Sequence, residues 1–244
     1  MEDHLSQIET LWSVVRRAHD RQPDKARRAQ HELLERYGGA IRRYLRAALK
    51  NDAAADDVYQ DFAVRFVRGD YHAAAPEKGR FRSFLKSILF RLVVDHYRAG
   101  KVRQAASLEA IYAEPQTPDL EKERNRAFNL VWRDEMLNRA WHALEAHERE
   151  SGQPAHSVLR LRVQYPGWKS TELADELSKR LGRPVSTANL RVLLHRSRDK
   201  FAELLLDAVA QTLDSLGDDQ LEEELVDLEL LDYCRSALER RREN

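Results

Sequence analysis

A single cysteine in 244 residues, Cys234, leaves this chain no internal disulfide to staple its fold. No apolar run approaches the roughly 20 residues that span a bilayer, so no membrane insertion is expected. Glycine (9) and proline (7) are scarce, and no alternating apolar run bounded by turn residues stands out, which argues against sheets. The opening MEDHLSQIETLW is acidic and lacks the basic and apolar regions of a secretion signal. Phosphate-binding glycine loops, nucleophile elbows and metal-ligand clusters are missing as well; His142 and His147 do not have the His-x-x-x-His spacing of a helical zinc site. These absences predict an all-α cytoplasmic protein that is not an enzyme, with no catalytic, cofactor-binding or metal residues.

What is present is charge, unevenly placed. With 42% hydrophobic and 34% charged residues the composition suits helical units, one large or two small. The net charge of zero conceals a basic block at residues 78–103 and a run from Glu203 to Asp232 that contains no Lys or Arg. Such asymmetry predicts a polyanion partner for one part and a cationic surface for another.

The basic block reads GRFRSFLKSILFRLVVDHYRAGKVR from Gly79 to Arg103. As a helix it gathers Phe81, Phe84, Leu85, Ile88, Leu89, Leu92 and Val93 on one buried arc. Its other arc carries Lys86, Arg91, Arg98 and Lys101 together with the rings of Phe90 and Tyr97. Cations with interleaved rings are what a surface needs to neutralise phosphates and stack unpaired bases. A surface helix with two half-buried aromatics packed on a neighbour has the same pattern, and both readings stay open at this level.

Elsewhere the periodicity predicts an N-terminal helix opened by Ser6 and Glu9 at capping-box spacing, helices at 25–37, 41–49 and 54–68, one from Phe128 to about Glu150, and a short one at 156–164. In the 54–68 helix Val58, Tyr59, Phe62 and Phe66 face inward and leave Asp56, Asp57, Gln60 and Asp61 outside. Acids in a first turn favour the helix dipole without any function, which accounts for Asp56 and Asp57 better than for Gln60 and Asp61. Ser170 or Thr171 caps a scaffold helix ended by Gly182 and Pro184, and Ser186 caps the next, with Leu190, Leu193, Leu194, Phe201, Leu204 and Leu205 buried. Leu221, Leu225, Leu228, Leu231 and Leu238 give one amphipathic helix in the acidic tail, placed to pack on the preceding domain, to dock on a partner or to cover a basic face.

The order ADDVYQDF, basic connection, GRFRSFLKSILFRLVVDHYR resembles conserved region 2 of extracytoplasmic-function (ECF) sigma factors of the sigma-70 superfamily, and LADELSKRLGRPVSTANLRVLLHRSRDKFAELL resembles their region 4 helix-turn-helix. The resemblance implies an N-terminal extension at 1–29, region 2 at 30–105, a linker at 106–127, region 4 at 128–209 and an acidic extension at 210–244. It implies binding to core RNA polymerase, through its largest and second-largest subunits, with Asp56, Asp57, Gln60 and Asp61 on the face that meets the clamp. It implies promoter DNA contacts from Arg82, Lys86, Phe90, Arg91, Tyr97, Arg98, Lys101 and Arg103 in region 2, and from Ser186, Thr187, Asn189, Arg191, His195, Arg196 and Lys200 in region 4. An anti-sigma protein or a Ser/Thr-kinase-linked regulator is a further implied partner. Phe84 stands where the family usually has Trp, and Arg91 where Asn is usual. The competing reading is a polymerase-independent helix-turn-helix regulator, which has no need of the two region 2 helices.

Overall fold

The computed structural model describes residues 17–18, 22–71, 81–103, 118–213 and 218–243, and within them there are helices and no strand. In chain order these are α1 (Pro23–Leu49), α2 (Asp52–Arg68), α3 (Phe81–Arg103), α4 (Pro118–Ser151), α5 (Ala155–Gln164), α6 (Ser170–Leu181), α7 (Thr187–Ala210), α8 (Asp218–Asp227) and α9 (Leu231–Glu243). The expected capping box at Ser6 and Glu9 lies outside the described residues, as does linker residue 106 through to 117. The rest of the expected linker is the first part of α4, which starts at Pro118 rather than near Phe128. The chain divides into two units, Met1–Arg133 with Ala210–Leu228 and Asp134–Val209 with Glu229–Asn244, so each draws on two separate stretches of sequence.

In the first unit α1 is one helix where two were expected, because the Gly38-Gly39 pair does not break it. Gly38 is instead a contact point: a Cβ there would stand 2.6 Å from the Tyr59 hydroxyl of α2. The roughly 1 kcal/mol that glycine costs inside a helix relative to alanine is offset by that close approach, and the Arg42 guanidinium covers the same Tyr59 ring at 4.0 Å. Asn51 caps α2 by accepting from the Ala54 N–H at 3.0 Å, and Gly69 ends it at φ 91°.

The centre of this unit is aromatic. Trp132 of α4 is stacked on Tyr37 of α1 at 5.3 Å and on Phe128 at 5.9 Å, with Phe81 of α3 tilted against it at 6.4 Å. Its indole N–H has no acceptor among the described residues, so the ring is held by packing alone. Trp132 is 1% exposed, whereas Leu130, two residues before it, is 37% exposed. The buried row of α4 runs Phe128, Trp132, Met136, Ala140, Leu144, and because four residues turn a helix by about 400° this row winds round the axis by about 40° per step. A fixed arc cannot follow it.

The acidic tail forms two helices, not one. Glu229, at φ 56°, interrupts the chain between them. Leu221, Leu225 and Leu228 are buried in the first unit, whereas Cys234, Ala237 and Leu238 of α9 are buried in the second.

In the second unit the buried set is Met136, Ala140 and Leu144 of α4, Val158, Leu159 and Leu161 of α5, Leu173 and Leu177 of α6, and Leu190, Phe201 and Leu205 of α7. Phe201 packs on Trp141 at 4.8 Å and on Tyr233 of α9 at 6.0 Å. Arg241 of α9 pairs with Asp207 at 3.1 Å, and Arg240 lies 3.8 Å from Glu203 and 3.9 Å from Asp199. The acids at the end of α7 are thus answered by the basic end of α9.

Two outcomes are expected. Trp132→Ala should destabilise the first unit by about 3–5 kcal/mol, while Trp132→Phe, which keeps a ring and removes the unsatisfied N–H, should cost much less; chemical denaturation of both variants checks the pair. Burial pushes the Cys234 thiol from its ordinary 9.0 up to about 12. The folded chain should therefore resist iodoacetamide at pH 9, and the stability tied to this group should be full below that pH and be lost as pH rises toward 12.

Candidate nucleic-acid interface

The buried arc of α3 forms as its spacing predicts: Phe81, Leu85, Ile88, Leu89, Leu92 and Val93 are buried, and Phe84 is half-buried against Tyr71 and Phe81. This fixes what the helix can show to solvent. Arg91 and Arg98, seven residues apart and so on one side, are both exposed. Lys86, Phe90 and Tyr97 are half-buried along the neighbouring flank. Tyr97 is anchored rather than loose, since its hydroxyl donates to the Ala48 carbonyl at the end of α1 at 3.3 Å. Lys101 and Arg103 belong to the last turn of α3, and their side chains lie outside the described residues.

Arg82 does not join this surface. It was expected among the outward cations, but it follows Phe81 at the edge of the buried arc and is only 5% exposed. Its guanidinium donates from Nε to Glu224 Oε1 at 2.6 Å and from Nη2 to Glu224 Oε2 at 3.2 Å and Asp227 Oδ2 at 2.8 Å. Nη1 donates to the Asn129 side-chain oxygen, and the Asn129 amide in turn donates to the Asp227 carbonyl at 3.1 Å. Glu224 has 0% of its surface exposed. A signal for it exists in the sequence: Glu224 stands on the same helical face as Leu221, Leu225 and Leu228, and a carboxylate on a buried row requires a buried cation.

On α2, Asp57, Gln60 and Asp61 are exposed on one stripe and Asp56 is half-buried. Asp61 pairs with Arg65 at 2.9 Å, a hydrogen bond that is the main cause raising the Arg65 guanidinium above its ordinary value. Asp56 lies 3.9 Å from Arg46, and Asp57 has no ion-pair partner among the described residues. The sequence reading missed that the stripe continues into Val64 and Val67, 53% and 51% exposed. The exposed valines give the face an apolar end beside its solvated acids.

In the second unit α6 and α7 are consecutive helices joined by a short turn. Glu172 opens α6 by accepting from the Lys169 N–H at 2.6 Å, so the cap is made from Lys169 and not by Ser170 or Thr171. Gly182, at φ 64°, turns the chain, and the Ser178 hydroxyl holds the turn by accepting from the Val185 N–H at 2.8 Å. Ser186 accepts from the Asn189 N–H at 3.2 Å and starts α7, as expected for its cap. Asn189, Arg191, His195 and Arg196 are exposed on the outer side, with Val192 between them at 49%; Thr187 is half-buried. Lys200 is half-buried and paired with Glu203 at 3.2 Å, and His195 lies 3.4 Å from Asp199. Among the described residues no group of His, Cys, Asp and Glu is placed to hold a metal ion, and no helix is long and apolar enough to cross a membrane.

Residues 33–103, which hold the greater part of α1 and all of α2 and α3, match the family model for sigma-70 region 2. No match was found among curated proteins or among solved structures. The α6–α7 pair lies outside the matched residues. The match over region 2 supports a sigma factor of the sigma-70 superfamily, with a role in transcription initiation.

Proposed function

We propose that the chain is an ECF-type sigma factor that binds core RNA polymerase and directs it to promoters with two recognition surfaces. The observation that carries this reading is the division of labour inside the matched region: one helix offers a solvated acidic and glutamine stripe, and the next offers exposed arginines beside half-buried rings. The α2 stripe of Asp56, Asp57, Gln60 and Asp61, extended by Val64, docks on the polymerase clamp. On α3, Arg91 and Arg98 neutralise phosphates of the downstream promoter element while Phe90 and the anchored Tyr97 offer ring faces to bases that have left the stack.

The α7 surface reads the upstream element. The N-terminal part of a second helix in a helix-turn-helix enters the major groove, where Asn189 and Arg191 are of the types that make paired hydrogen bonds to adenine and guanine edges. Region 4 in this reading also contacts the second-largest polymerase subunit. A regulator using the helix-turn-helix alone leaves the exposed stripe of α2 without a purpose. An anti-sigma protein or a kinase-linked regulator remains a partner class implied by the resemblance.

The surfaces separate in experiment. Asp57→Lys with Asp61→Lys should abolish co-purification with core polymerase and leave the fold intact by circular dichroism. Arg91→Ala with Arg98→Ala should preserve polymerase binding, impair open-complex formation measured by permanganate footprinting, and lower the salt dependence of DNA binding by about 0.7–0.9 in log–log slope per lost phosphate contact. Arg191→Ala with Arg196→Ala should weaken the upstream footprint, each base-edge contact contributing about 1–3 kcal/mol of discrimination. An unchanged upstream footprint would remove α7 from the recognition surface.

A further inference from the structure

Among the described cationic side chains of α3, Arg82 is withdrawn from solvent, and its counter-charge comes from 142 residues further along the chain. Glu224 grips the guanidinium through both oxygens, at 2.6 and 3.2 Å, Asp227 takes a further N–H at 2.8 Å, and Asn129 takes the remaining nitrogen. All three guanidinium nitrogens are committed to protein acceptors. The helix that supplies the acids is seated by Leu221, Leu225 and Leu228, at 3%, 0% and 1% exposure. A phosphate reaching Arg82 would have to displace a chelating carboxylate, take the guanidinium away from that buried group, and unseat three leucines. Breaking one side of a buried ion pair is strongly unfavourable.

We infer that α8 is the in-chain partner of region 2: a fourth face of the bundle, delivered from the C-terminal extension, which takes Arg82 out of the DNA-contacting set and stays seated while the promoter is engaged. This rests on α3 being the DNA-facing helix. It also reassigns the acidity of the tail. Glu224 and Asp227 serve as fixed counterions to one arginine of region 2, not as a diffuse polyanion that competes with DNA for its cations. The exposed cations Arg91 and Arg98 remain with DNA as their partner.

Two measurements on the full chain test the inference. Hydrogen exchange on the free protein should show the amides of Leu225 and Leu228 protected together with those of Leu85 and Leu89, and this protection should persist in the promoter complex with core polymerase. Loss of α8 protection on promoter binding would overturn the inference and make the helix a releasable cover. Glu224→Leu alone, which leaves the buried guanidinium with only Asp227 and Asn129, should lower protection across α3. Arg82→Met combined with Glu224→Leu, an apolar replacement of the whole pair, should restore it and leave the salt slope of promoter binding at the parent value. A double variant that is protected but has a slope lower by about 0.7–0.9 would restore Arg82 as a phosphate ligand and overturn the inference. The exchange and rescue results on free protein need no DNA, so a failure of the sigma-factor reading alone would appear as intact rescue without polymerase-dependent DNA binding.

Discussion

A guanidinium held away from water constrains this protein more than any other single group. Removing one partner from such a buried pair costs about 3–5 kcal/mol, a large fraction of the roughly 5–15 kcal/mol by which a domain is stable. Arg82 therefore imposes a condition on three helices at once: α3 brings the charge, α8 brings Glu224 and Asp227, and α4 brings Asn129, which bonds both the arginine and the backbone of α8. The aromatic stack around Trp132 lies on the same helices α3 and α4 and adds α1 through Tyr37. Charge and ring packing together determine which face of α3 is turned inward, and hence which arginines are left for solvent.

Much of this was legible from local pattern. The buried arc of α3, the exposed stripe of α2, the Asn51 and Ser186 caps and the Gly182 turn follow from spacing and from the chemistry of single residues, because each is decided within one or two helical turns. The misreadings share a different origin. Gly38 looked like a break because its reason, the Tyr59 hydroxyl 2.6 Å from where a Cβ would be, lies on another helix. Trp132 was overlooked because its buried row winds along α4. Arg82 was read with the other cations of its helix because its partner lies 142 residues away.

Both recognition surfaces in the proposed function use the same device. A helix is locked on one side by apolar packing and its outer residues are presented without freedom to turn: Leu85, Leu89 and Leu92 do this for Arg91 and Arg98, and Leu190 and Leu194 do it for Arg191 and His195. Holding the backbone rigid lowers the entropy lost when these long side chains meet a partner. Tyr97, tied to Ala48 by its hydroxyl, carries the same economy to a ring.

The discontinuous first unit has a consequence for how the protein is made. At about 5–20 residues per second on a ribosome, the interval between synthesis of the end of α3 and of Glu224 is roughly 6 to 25 seconds, far longer than helix formation or collapse takes. For that period Arg82 has no carboxylate from α8 to meet, and the seat of Leu221, Leu225 and Leu228 is uncovered. The nascent region 2 is a binding site waiting for its own chain, which makes it a natural substrate for chaperones until α8 is synthesised.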